Sequence, residues 1–426
     1  MKRILLYILP LMLSNLCYAT GEYGYPIDDP IVATVVGTPK DDAAALAKDI
    51  PRSEKSIAIF ANRPVKKFFP INTLNYTLIS QAHKAPLIFS IAGTGASHRS
   101  AKMQLLEKVF YRAGFHVVSL PSPTYANFIV NASSTQVPGH LVQDSKDLYF
   151  VMERIRQQLS SQLKISNYYL TGYSLGGAQA AFVAKLDTQK QTFNFKKVLL
   201  INPPVSLFNS VSILDDLLTD NISGGVQGFN TFFDELMQDF SKIYQNSEHI
   251  DFNDNFLYRI YQDNNKKIDT DRLAALIGIS FRLSSANMIF TSDIATNAGY
   301  ILPKNHQLHP TESTTGYFKV ASRISFSDYF TERFYPFYRS INPGITQEDL
   351  KFSTSLSSIE HYLHTAKNIA VVHNEDDIIL APGDIDFFRN TFGSRAYIYP
   401  KGGHLGNMGY SENIEFMLNY FKAQEQ

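Results

Sequence analysis

YYLTGYSLGGAQAAFVAKLD, residues 168–187, decides how the chain is read. An apolar run rich in β-formers stops at Gly-Tyr-Ser-Leu-Gly-Gly. An Ala-rich, helix-favouring run follows at once. A turn this sharp crowds the backbone, so small residues must flank it. A serine at its tip projects its hydroxyl clear of the chain, as an exposed nucleophile requires. Ser174 is therefore the candidate nucleophile. The competing reading is a glycine-rich turn holding an ordinary serine.

Outward from this stretch, strand-like and helix-like runs alternate. SIAIFA (56–61), TLNYTLISQA (73–82), APLIFSIAGTGAS (85–97) and GFHVVSL (114–120) read as strands, as do NYYLTGYS and KKVLLINPPVSL (196–207). Residues 99–113, 141–163 and the run after Ser174 carry helical spacing. Short connections and continuous apolar strands predict an α/β fold, a mostly parallel central sheet flanked by helices. From 208 to 366 the pattern turns mostly helical and polar-aromatic. The alternation then resumes with KNIAVVHNEDDIIL (367–380), PGDIDFFRNTFG (382–393), SRAYIYPKGGHLGN (394–407) and a closing amphipathic helix (410–424). The expected organisation is a core of 56–207 and 367–426, interrupted after the sixth predicted strand by a helical insertion. Residues 20–55 read as an extended lead-in.

The N-terminus reads as a secretory signal. Lys2 and Arg3 precede the apolar run ILLYILPLMLSNL, and Ala19 offers a cleavage site. The run is too short for a comfortable transmembrane helix, so residues 1–19 imply a secreted or periplasmic protein with no stable transmembrane segment after cleavage. Lipid anchoring at Cys17 is the alternative, although Leu16 is large for the position before a lipidated cysteine. Cys17 is the one cysteine. Without it the mature chain has no disulfide, no thiol catalysis and no cysteine metal site. Lysine plus arginine number 39 against 39 aspartate plus glutamate, a balance that offers no basic excess for nucleic acid.

A hydroxyl is a poor nucleophile at neutral pH. It needs a base, a group to orient that base, and donors for the oxyanion. His404, in YPKGGHLGN after the last predicted strand, is the candidate base, set against a surface histidine. Three acids, Glu375, Asp376 and Asp377, follow the preceding strand. With these residues in place the chain resembles the α/β-hydrolase superfamily, in the order Ser174, acid, His404. Its Gly-x-x-Asp-x-Ile-Val-like stretch, laid over Asn374 to Leu380, puts the triad acid on Asp377, with Asp376 one register away. The resemblance implies oxyanion donors at the Leu175 N–H and, in Ala92-Gly93-Thr94-Gly95, at the Thr94 N–H. A bare glycine turn is the alternative there. His98 either lines the site or is a polar residue at a helix start. The resemblance also implies that the helical insertion, 208–366, is a cap.

Two stretches of the insertion bear on substrate. SFSDYFTERFYPFYR (325–339) and ALIGISFRLSSANMIF (275–290) each read as cap core or as the wall of an acyl pocket. The expectation is an exported serine hydrolase acting on a carboxylic ester, a small-molecule or lipid-like substrate, with no metal or organic cofactor. An acyltransferase or an amidase/peptidase on the same triad, or a non-catalytic binding protein keeping the fold, are the alternatives.

Overall fold

The computed structural model describes residues 23–422, apart from residue 66 and most of 223–268. The expected signal segment, 1–19, lies outside the described residues.

One sheet of eight strands organises the chain: β1 (Arg52–Ile57), β2 (Leu74–Ile79), β3 (Ala85–Ile91), β4 (His116–Leu120), β5 (Ile165–Tyr173), β6 (Val198–Ile201), β7 (Ile369–Asn374) and β8 (Ala396–Tyr399). Their order across the sheet is β1-β2-β4-β3-β5-β6-β7-β8. β2 runs antiparallel to both of its neighbours, and every other pairing is parallel. The chain winds outward from β3 to β4 and then returns to place β5 on the other side of β3. That reversal opens a crevice beyond the carboxyl ends of β3 and β5, where open α/β sheets bind ligands.

The parallel strands are buried on both faces because helices cover both. On one face lie α2 (Ala101–Arg112) and the C-terminal helix Ser411–Lys422, which bring Met103, Phe110, Met417 and Phe421 against Ile88, Val117 and Ala370. On the other lie α4 (Leu141–Leu159), α5 (Leu175–Lys190) and the helix Asp384–Phe392, with Leu148, Val183 and Phe388 against Leu87, Leu170 and Val371. Each such fully buried aliphatic or aromatic side chain contributes on the order of 2 kcal/mol. The short α3 (Ala126–Asn131) and α6 (Leu207–Thr219) complete this layer.

Between β6 and β7 the described residues form helices and loops, with one isolated bridge, Ser206 to Ser355. The longest element there is α7 (Thr270–Thr296). It is long and apolar enough to cross a membrane by composition, but 83% of its most apolar window is buried inside the protein. Its first half packs through Leu273, Leu276 and Ile279 on Val35 and Leu218. Arg282 donates from Nε to buried Asp215 on α6 at 2.9 Å.

Two expectations need correction. The first strand is Arg52–Ile57, and the stretch 56–61 read as a strand is its end plus a turn. The alternation in Arg-Ser-Glu-Lys-Ser-Ile is masked by its polar residues, since this edge strand is only half covered. The lead-in 20–55 is not simply extended either. It contains α1 (Pro30–Val36), capped by the Asp29 side chain accepting from the Ile31 and Val32 N–H groups. Seven residues are too few for helical spacing to show, but Asp-Pro at the start of a helix is a recognisable signal.

Candidate active site

Ser174 stands between β5 and α5 with φ 53° and ψ −128°, a backbone conformation that non-glycine residues rarely adopt. Its N–H donates to Ile201 O at 2.8 Å, which holds the turn against β6. The flanking glycines are steric necessities. A Cβ on Gly172 would stand 2.2 Å from Gly176 O, and one on Gly176 would stand 2.2 Å from Ile91 O. The helix therefore starts almost in contact with the ends of β3 and β5, and the serine is forced outward.

His404 Nε2 lies 3.0 Å from Ser174 Oγ. His404 Nδ1 lies 3.0 Å from each oxygen of the Asp377 carboxylate. The three side chains come from three separate loops at the carboxyl edge of the sheet. Asp377 is buried, and burial alone would raise its pKa. The charge and hydrogen bond of His404 outweigh that, with help from the Asn202 hydrogen bond, and hold the carboxyl below its ordinary value. Asn202 Nδ2 donates to Asp377 Oδ2 at 2.8 Å, and the Ile379 N–H donates to Oδ1 at 3.2 Å.

Asp376 does something different. Its carboxylate accepts the Gly402 and Gly403 N–H groups, at 3.1 and 2.9 Å, so it braces the loop that carries His404. Asn374, which stands where the superfamily stretch usually has glycine, donates from Nδ2 to Gly403 O at 2.7 Å. The departure thus serves the same loop.

Behind Asp377 sits His373, fully buried. Burial pushes its pKa down in spite of Asp377. Its Nε2 lies 3.0 Å from Pro203 O, and its Nδ1 accepts the Asn374 N–H at 3.0 Å. The proton is therefore on Nε2 and the ring is neutral, so its 3.5 Å approach to Asp377 is not an ion pair.

The Gly93–Gly95 loop faces Ser174 from the end of β3. A Cβ on Gly93 would meet the Tyr173 ring at 2.7 Å and Ser174 Cβ at 3.2 Å. The Gly95 N–H donates to Thr124 Oγ1 at 2.7 Å and the Ala96 N–H to Gly93 O at 3.1 Å. Leu175 is the first residue of α5, where an N–H has no acceptor within its own helix. His98 is buried and does not line the cleft, although Ser97 and Ser100 do. Burial, with Arg99 adding to it, pushes its pKa down to about 4.

Two contributors were not foreseen. Asn202 has φ 44°, and a positive φ is a conformation asparagine tolerates better than most residues; an asparagine closing an apolar strand was the available signal. Thr34 on α1 accepts the His404 N–H at 2.8 Å and donates to Pro30 O at 2.7 Å. No local pattern points to a contact between residues 34 and 404.

A cleft of about 280 Å³ opens over the serine. Its floor is the Gly93–Gly95 loop, Ser174 and His404. α7 crosses above them with Ile277, Ser280, Phe281, Ser284 and Asn287, and α6 adds Leu214. Of the two stretches read as cap core or as the wall of an acyl pocket, 275–290 does face the cleft. The aromatic stretch 325–339 does not. Phe326, Tyr329, Phe330, Phe334 and Tyr338 are buried in the main core, and Tyr329 and Tyr338 donate to Pro138 O and Val137 O. Aromatic density marks burial, and burial alone does not say which cavity is nearby. Among the described residues no group of three or more histidine, cysteine or acidic side chains could hold a metal ion.

Strand order, the antiparallel β2, the strained serine between β5 and α5, and the late acid and histidine loops make one architecture. The chain has the α/β-hydrolase fold. No family model matches the sequence, and no curated protein does. Solved structures of similar architecture include a thioesterase domain from the curacin biosynthetic pathway (13% identity, 87% of this chain and 99% of that one, TM-score 0.39). Others are Est1E from Butyrivibrio proteoclasticus (12% identity, 82% and 95%, TM-score 0.37) and an esterase from Rhizomucor miehei (12% identity, 88% and 87%, TM-score 0.43). Likenesses this distant do not bear on substrate or residue roles.

Proposed function

We propose that the chain is a serine hydrolase that cleaves a carboxylic ester through Ser174, His404 and Asp377. The observation that carries this reading is the unbroken relay from Ser174 Oγ to His404 Nε2 at 3.0 Å and from His404 Nδ1 to Asp377 at 3.0 Å. Ser174 Oγ attacks the ester carbonyl carbon as His404 Nε2 takes its proton. Asp377, kept ionised, stabilises the imidazolium and fixes the ring with Nδ1–H toward the carboxylate. The Thr94 and Leu175 N–H groups receive the oxyanion. Collapse of the tetrahedral intermediate releases the alcohol, which takes the proton from His404. Water, deprotonated by His404, then attacks the acyl-enzyme, and the acid leaves as Ser174 regains its proton.

The N-terminal sequence supports export of this enzyme, with cleavage after Ala19. Fluorophosphonate labelling tests the activity, because only an activated serine reacts. Labelling should be stoichiometric in the parent and absent in Ser174→Ala. Labelling that survives the substitution would remove Ser174 from the mechanism.

A further inference from the structure

The wall of the cleft that α7 provides is more polar than an acyl pocket requires. Ile277, Ser280, Phe281, Ser284 and Asn287 recur at helical spacing along one face of the helix, and that face looks down on the serine. Ser280, Ser284 and Asn287 form a line along it. At a rise of about 1.5 Å per residue the line is about 10 Å long. It runs from the buried residue Ser280, through the half-buried Ser284, to the exposed Asn287.

Ser284 also touches the catalytic floor. A Cβ on Gly95 would stand 3.0 Å from Ser284 Cβ and 3.1 Å from Ser284 Oγ. The hydroxyl is thus held directly over the loop expected to bind the oxyanion.

These polar groups are not spent on the protein. No hydrogen bond among the described residues engages the side chains of Ser280, Ser284 or Asn287. Serine and threonine within helices often return their hydroxyls to a carbonyl of the preceding turn. Further along α7, Thr296 does so to Ser292 O at 2.6 Å, and Ser292 reaches Gln136 O at 2.7 Å. A shielded hydroxyl with no partner costs about 1–3 kcal/mol. A plain hydrocarbon chain laid along this face would impose that cost at each position.

The charge pattern narrows the ligand further. Among the described residues no aspartate or glutamate lines the cleft, and Lys102, on its wall, already has a partner. What α7 offers is two hydroxyls and a carboxamide, each both donor and acceptor, facing the Thr94 hydroxyl on the floor. The cleft, about 280 Å³, is at the small end of ligand pockets.

Resting on the serine-hydrolase reading, we propose that the substrate is a compact ester bearing neutral hydroxyl or amide groups, such as an acylated sugar, and not a long-chain lipid ester. Ser280, Ser284 and Asn287 are its specificity-determining residues.

Two matched substrate pairs test this and locate the polar part. On the alcohol side, a methyl glucoside acetylated on its primary hydroxyl is compared with cyclohexylmethyl acetate. On the acyl side, ethyl β-hydroxybutyrate is compared with ethyl butyrate. The parent should favour the hydroxylated member of at least one pair by on the order of 100-fold in kcat/KM. The combined Ser280→Ala, Ser284→Ala, Asn287→Ala variant should bring that ratio near one. Asn287→Ala alone, at an exposed position, should lower it several-fold and serves if the combined variant does not fold. A parent that favours the unsubstituted member of both pairs, or a ratio that survives the substitutions, overturns the proposal. Fluorophosphonate labelling of the same preparations separates the two readings. A labelled Ser174 with the wrong substrate preference overturns only the polar-substrate proposal. An unlabelled Ser174 overturns the hydrolase reading and this proposal with it.

Discussion

The Gly403 N–H donates to the Asp376 carboxylate at 2.9 Å, one residue before the histidine whose ring Asp377 holds. Two adjacent acids therefore grip one loop, one by its backbone and one by its imidazole. Asp377→Asn should cost about 10⁴-fold in turnover, since the amide favours the wrong imidazole tautomer. Asp376→Asn keeps an oxygen to accept a backbone N–H and should cost about 10-fold or less. Steady-state kinetics of the two variants, side by side, check the assignment. Reversed losses would place the orienting carboxylate on Asp376.

The strained backbone of Ser174 predicts a stability order for two inactive variants. A residue held at φ 53° and ψ −128° stores on the order of 1–3 kcal/mol of backbone strain, and glycine does not. Ser174→Gly should therefore be more stable than Ser174→Ala by about 1 kcal/mol or more, since the preference of a helix N-cap for glycine over alanine acts in the same direction. Both should lose about 10⁶-fold in turnover. Urea midpoints of the two inactive variants decide it, and an alanine variant that is the more stable would show the turn to be unstrained.

The parts of the site that were legible in the sequence are those whose physics is local. The serine turn announces itself because Gly172 and Gly176 have no room for a Cβ. Asp377 follows β7, whose apolar run is continuous because both faces are covered, and His404 follows β8, a short edge strand that is only half covered. Thr34 and Asn202 act across more than a hundred residues of chain through single hydrogen bonds to His404 and Asp377, and Asn374 reaches Gly403 in the next loop; nothing in their neighbourhoods signals the partner. The same limit explains the aromatic stretch. Composition left 325–339 as core or as cleft wall, and only the packing, which buries Phe326, Tyr329, Phe330, Phe334 and Tyr338 in the main core and gives the wall to α7, decides between them.

Thr34 should behave as a positioning residue. Its hydroxyl takes the His404 N–H at 2.8 Å, and the neighbouring Gly403 is pressed so close that a Cβ there would stand 2.2 Å from Pro30 O. Thr34→Val keeps the shape but leaves that N–H without an acceptor. It should lower kcat about 10-fold with KM little changed, and Thr34→Ser should restore it. A valine variant equal to the parent would make the N-terminal helix a mere packing element.

A pH dependence follows from His140. It is half-buried against the Tyr338 ring, centroid to centroid 4.6 Å, with its Nδ1 shut off from solvent, and burial pushes its pKa from 6.5 down to about 4. Between those values the unfolded chain binds a proton that the folded chain refuses. Stability must therefore fall as pH drops through the window from about 6.5 to 4, by up to about 3 kcal/mol for this group. His98, lowered to about 4 as well, adds a loss of the same sign. His140→Phe keeps an aromatic ring and removes the titration. Denaturant midpoints at pH 7 and pH 5 should differ less in this variant than in the parent. Equal differences would mean that His140 is protonated at little cost in the folded protein.

Phe334 and Phe281 separate the core from the cleft. Phe334 is buried against Tyr329, Phe330 and Tyr338, and its ring lies within 3.4 Å of where a Cβ on Gly139 would stand. Phe334→Ala should lower stability by about 3–5 kcal/mol. Its kcat/KM profile over straight-chain esters of increasing length should stay parallel to that of the parent. Phe281 is half-buried on the face of α7 that lines the cleft. Phe281→Ala should cost less stability and should alter the profile itself, because each methylene that meets an apolar wall is worth roughly 1 kcal/mol of discrimination. Melting temperatures measured beside the kinetics keep the two effects apart. A Phe334 variant whose profile tilts with chain length while Phe281→Ala leaves it parallel would return the aromatic stretch to the substrate and take α7 away from it.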